Sequence, residues 1–160
     1  MARRLVLPLL VVLLLAGCGS REVEKDLRIV GANTGWYDAG VQPDGGNKLM
    51  PSISFELENV SDRDIANVQL NAVFKRMGEE HTWGDHFVRG IGTEGLSAGA
   101  TSDSIVLRST LGYTGPQTRD QMLLNQEFVD ARVEIFGKHG RRMWTKMAEF
   151  RIDRELLTGE

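Results

Sequence analysis

Apolar and polar residues alternate with a period of two over much of the chain after Asp26. Ile53, Phe55 and Leu57 alternate with Ser54, Glu56 and Glu58, and Val68, Leu70, Ala72 and Phe74 alternate with Gln69, Asn71, Val73 and Lys75. That period puts one apolar face on each segment, so both read as half-buried β-strands. The turn-rich "NVSDRD" between them predicts an antiparallel pair. The clearest alternation sets Val129, Ala131, Val133 and Ile135 against Asp130, Arg132 and Glu134. "KHGRR" then predicts a hairpin, and a last strand carries Trp144, Ala148, Phe150 and Ile152 on one face. Gly137 and Gly140 are expected at positive φ in its corners. Further strands are predicted at Leu27–Val30, at Thr82–Val88 and around Ile105 and Leu107. Trp36 to Lys48, with Gly40, Pro43, Gly45 and Gly46, reads as a loop, and Gly90 to Ser102 as a flexible turn region. One segment predicts a helix: Thr118 and Gln121 have capping-box spacing, Pro116 stands just ahead, and Met122, Leu123, Leu124 and Phe128 supply an apolar face.

Seven or eight short strands with glycine-rich turns and one short helix predict an all-β antiparallel sandwich. "NVSD" between paired strands, followed by the "LSAGATS" turn and another strand, resembles the immunoglobulin-like domains of bacterial envelope lipoproteins. The likeness spans roughly Pro51 to Ile152. It implies an immunoglobulin-like fold and a binding or scaffolding role. Trp83 and Trp144 are the candidates to fill its inter-sheet core.

The first residues follow a different logic. Arg3 and Arg4 precede Leu5–Ala16, which is almost wholly apolar and, at about a dozen residues, short of the ~20 that span a bilayer. The run ends in Leu15-Ala16-Gly17-Cys18, and Cys18 is the only cysteine. This resembles the bacterial lipobox. The resemblance implies diacylglyceryl transfer to the Cys18 thiol, cleavage before it, and a membrane-anchored mature protein. Residues 1–17 are then the signal peptide, 18–26 a lipidated tether and 27–160 the β domain. Gly19 after the cysteine implies sorting to the outer membrane, facing the periplasm.

Composition narrows the function. The chain has 160 residues and a formal charge of −3. Losing Arg3 and Arg4 with the leader takes −3 to −5. Scattered, outnumbered basic residues leave no footprint for nucleic acid. No G-x-S-x-G elbow and no phosphate-loop ending is present, so no enzyme is expected. The weak metal candidates are His81, Asp85 and His86; the five-residue spacing of the histidines puts them on opposite strand faces unless Gly84 bulges, so no metal or other cofactor is expected beyond the lipid on Cys18. The candidate binding residues are Leu111 and Tyr113 in "STLGYTGPQ", with Trp36 and Tyr37 in "NTGWYDAG". The expected function is a lipid-anchored envelope protein whose non-catalytic domain binds an envelope protein partner. The alternative is a periplasmic protein that binds a small ligand or metal.

Overall fold

The computed structural model describes residues 22–157. The lipobox and Cys18 lie outside the described residues. The elements are α1 (Val23–Asp26), β1 (Leu27–Val41), β2 (Asn47–Asn59), β3 (Val68–Arg76), β4 (Gly84–Ile91), β5 (Ile105–Arg108), β6 (Tyr113–Gly115), α2 (Arg119–Leu124), β7 (Ala131–His139), β8 (Thr145–Arg151) and β9 (Leu156–Leu157). One sheet has the order β5-β2-β1-β9, with β6 also paired to β2, and the other the order β4-β3-β7-β8. All pairs are antiparallel except β1 with β9. Setting β1, β2 and β5 as A, B and E, and β3, β4, β7 and β8 as C, C′, F and G, gives the order of an immunoglobulin-like sandwich.

The period-two residues fill the space between the sheets. Ile53, Phe55 and Leu57 of β2 face Val68, Leu70 and Phe74 of β3 and Val133 and Ile135 of β7, all at or near zero exposure. The two sheets are also stitched along their edges. On one side the Arg108 backbone N–H donates to His86 Nδ1 at 2.9 Å. On the other, Thr34 Oγ1 donates to the Arg151 carbonyl and accepts from the Asp153 N–H, each at 3.1 Å.

Glycine misled the reading of Trp36–Lys48. β1 continues through it to Val41 and carries two register shifts, between Val30 and Asn33 and between Asp38 and Val41. Each shift holds a glycine at positive φ, Gly31 at 61° and Gly40 at 80°. These glycines are β-bulges that bend a long strand rather than end it. Trp36, at 0% exposure, fills the inter-sheet core. Trp83 packs beside it, whereas Trp144 does not enter the core at all.

A bulge also displaces Trp144. Ile135 pairs with Ala148 but Phe136 pairs with Lys146, which leaves Met147 as one extra residue in β8. The parity flips there, so Ala148, Phe150 and Ile152 face inward while Trp144 faces out. Gly140 has the expected positive φ of 57°. Gly137 does not; it is a close-approach glycine, where a Cβ would lie 2.5 Å from Met147 Sδ and 2.8 Å from Val23 Cγ1. Val23 is buried, so the folded domain includes α1, inside the stretch expected to be tether.

Two expected turns are ordered against each other. Ile65 bridges to Leu96 and Glu58 to Thr101, so "NVSDRD" and "LSAGATS" form one corner. Gly99 at φ 74° makes its tight bend. The helix is as read: Thr118 and Gln121 complete the capping box, and Met122, Leu123 and Phe128 are buried, although Leu124 is exposed.

Candidate functional site

Strand alternation separates the aromatic neighbours Trp36 and Tyr37. Trp36 points inward and Tyr37 outward. Around Trp36 an aromatic box closes one end of the sandwich: Phe128 lies edge-on at 4.6 Å, Tyr113 at 5.7 Å and Trp83 at 6.3 Å between ring centroids. Tyr113 donates its hydroxyl to the Val129 carbonyl at 3.1 Å, and burial raises the pKa of that hydroxyl. Arg154 locks the box from outside. It lies 5.3 Å over the Phe128 ring and donates to the carbonyls of Leu123, Asn125 and Phe128. Trp36 and Tyr113 are therefore structural plugs. Leu111 is exposed, in a turn that Gly112 permits: a Cβ on Gly112 would overlap the carbonyl oxygen of Leu49.

The histidine candidates part in the same way. His81 precedes β4 and pairs through Nε2 with Glu79 at 2.9 Å. His86 lies in β4 and accepts from Arg108, and Asp85 points to the other face of that strand. Among the described residues no three His, Cys, Asp or Glu side chains cluster as a metal site.

Tyr37 leads to the site that the sequence did not reveal. On the outer face of the first sheet the register aligns Gly35 with Ser52 and Ser52 with Arg108; the next row aligns Asn33, Ser54 and Val106. Small residues in the middle strands and longer ones outside make a groove of about 360 Å³. Ser104 and Val106 line one wall, and Glu155, Leu156 and Leu157 the other. Leu157 folds over Gly35, where a Cβ would lie 2.7 Å from its Cγ.

Arg108 dominates the groove. Its guanidinium stacks 3.9 Å over the Tyr37 ring. Its Nε is buried without an acceptor, and among the described residues no carboxylate pairs with it. A buried N–H lacking an acceptor costs ~1–3 kcal/mol. The planar fork of the guanidinium suits a carboxylate or phosphate. The surrounding hydroxyls and the Asn33 amide add neutral hydrogen-bonding groups. With Glu155 on the opposite wall, the arrangement is fit for an extended segment that brings a single acidic group to Arg108.

The fold and groove define an immunoglobulin-like sandwich with a polar groove on the outer face of one sheet. No known family matches the chain, and no curated protein does. Among solved structures, the Northeast Structural Genomics Consortium target SoR45 is 11% identical, with a TM-score of 0.45 over 82% of this chain and 89% of that one. The ligand binding region of serine-glutamate repeat protein A (SgrA) of Enterococcus faecium is also 11% identical, with a TM-score of 0.30 over 71% of this chain and 87% of that one. At those scores neither likeness carries an argument about function.

Proposed function

We propose that this protein is a lipid-anchored bacterial envelope lipoprotein whose immunoglobulin-like domain is a non-catalytic binding module for an envelope protein partner. Support for the anchor comes from the charged start, the apolar run and the box ending at Cys18. The two acyl chains of a diacylglyceryl group on that sulfur, with or without a third on the new N-terminal amine, give stable attachment, which one chain does not. By the lipobox analogy, Gly19 places the anchor in the outer membrane, with the domain facing the periplasm.

The observation that carries the binding role is Arg108, stacked on Tyr37 beside a groove that Ser52 and Ser54 also line. The partner surface that suits it is an extended segment of protein with a single acidic group for Arg108. The experiment is a photo-crosslinking residue at exposed Val106 in the full-length protein in cells, with the same residue at exposed Leu124 as control. The expected result is one envelope-protein adduct from position 106, lost with Arg108→Glu and absent from position 124. Removing one partner of a buried charged contact costs ~2–5 kcal/mol, enough to abolish a micromolar complex. An adduct unaffected by Arg108→Glu would count against the groove. Intact mass checks the anchor separately: acylation is expected on the native chain and must disappear in Cys18→Ala.

A further inference from the structure

The β7–β8 turn is basic and apolar at once. Lys138, Arg141 and Arg142 surround Met143 and Trp144, which are 86% and 39% exposed. The tip is built, not loose. Gly140 donates its N–H to the Asn67 carbonyl at 2.9 Å, and Arg142 donates its own to His139 at 3.1 Å. The bulge at Met147 turns Trp144 outward, where Phe87 meets it edge-on at 6.0 Å and the Lys138 ammonium lies 4.8 Å over its ring. An exposed tryptophan among cations is the composition of a membrane-interface contact.

The start of the domain lies at the same end. Val23 packs at Gly137, and Glu22 and Val23 line one cavity with Arg141, Arg142 and Met143. Five residue steps separate Cys18 from Val23, at most about 18 Å of chain. A sulfur acylated into the bilayer therefore keeps Val23, and the hairpin tip beside it, within reach of the lipid headgroups.

We propose that the tip Lys138–Trp144 is a second membrane contact, which seats the domain on an anionic phospholipid surface with Met143 and Trp144 at the interface and the arginines among the lipid phosphates. The proposal rests on the anchor at Cys18. Although the mature chain carries a charge of −5 and Glu22 lies beside the tip, Lys138, Arg141 and Arg142 gather three cations at the hairpin itself, which favours an anionic surface there.

The test uses the full native chain in vesicles of phosphatidylethanolamine and phosphatidylglycerol with brominated acyl chains, and in phosphatidylcholine vesicles of the same bromination. Trp36 is buried and Trp83 is packed in the aromatic box, so quenching of tryptophan emission reports Trp144. Quenching is expected in the anionic vesicles, with loss in Trp144→Phe and a much smaller signal in phosphatidylcholine. Arg141→Ala with Arg142→Ala should lower the bound-to-unbound ratio of the tip roughly 25-fold, at about fivefold per arginine. Both arginines are exposed, so an unchanged circular dichroism spectrum is expected alongside. Intact mass separates the two ways of failing. An acylated chain with no quenching, or with quenching indifferent to lipid charge and to both arginines, overturns the tip contact alone. A chain with no acyl mass overturns the anchor and the tip contact with it. Shielding of the tip by an added envelope protein, with none from anionic lipid, would make the tip a protein contact and also overturn the proposal.

Discussion

Asn59 joins two turns that are far apart in sequence. Its side-chain N–H groups donate to the carbonyls of Arg63 and Leu96 at 2.8 and 2.9 Å, and its Oδ1 accepts from the Ser61 N–H and hydroxyl at 3.0 and 2.7 Å. The Asn59 side chain itself is at 0% exposure. Asn59→Ala should destabilise the domain by ~1–3 kcal/mol, since a buried amide that ties Arg63 to Leu96 is lost and the Ser61 turn loses its acceptor, while the Leu96 carbonyl keeps the Ile65 N–H. Urea unfolding checks this: the midpoint should fall while the slope stays constant. The "NVSD" and "LSAGATS" signals were legible because turn residues act locally. Their mutual docking was not, because it runs through backbone bridges and one asparagine amide between residues 37 apart in sequence.

Alternation identifies elements well and their continuity badly. β2, β3 and β7 were legible because each keeps its period of two without interruption. β1 was not, because Gly31 and Gly40 look like chain breaks and act as bulges. The same failure, one inserted residue at Met147, reverses the side of Trp144. The groove was hidden for a related reason. Alternation tells which face Ser52, Ser54 and Arg108 occupy, but only the pairing of three distant segments makes them neighbours. Helix α2 was legible from its cap alone. Thr118 accepts from the Gln121 N–H at 3.4 Å, while the Gln121 side chain accepts from the Thr118 N–H at 3.2 Å. Thr118→Ala should cost ~1 kcal/mol, and faster hydrogen exchange at residues 119–122 should report it before the global midpoint moves much.

Across the whole molecule, charge holds the outer face of the second sheet. Glu134 is buried and pairs with Lys75 and Lys146, each at 3.0 Å, and with Arg132 at 3.1 Å. Burial pushes its carboxyl up, but the two ammonium groups prevail and hold it below its ordinary 4.5. Asp130 is governed alike: burial opposes its charge, and Arg154 and Arg151 together keep it below 3.8. For carboxyls lowered in the folded state, the stabilisation is complete above the unfolded pKa and is lost as pH falls through the folded one. Unfolding free energy should therefore be level from pH 7 down to about 5, then drop below about pH 4.5. Glu134→Gln should lower stability by ~1–3 kcal/mol at pH 7 and narrow the difference between pH 7 and pH 3, as read by denaturant titrations at each pH.

The long bent strand β1 also works as a ruler. It starts at Leu27, beside α1, and brings Asn33 and Tyr37 to the groove six and ten residues later, at about 3.3 Å per step. Under the proposed anchoring at Cys18, that length would set the Arg108 groove some 20–30 Å from the bilayer. On that reading a docking partner would be met at a set height, and lengthening the chain between Cys18 and Val23 would change that height only if the tip Lys138–Trp144 did not also seat the domain on the lipid.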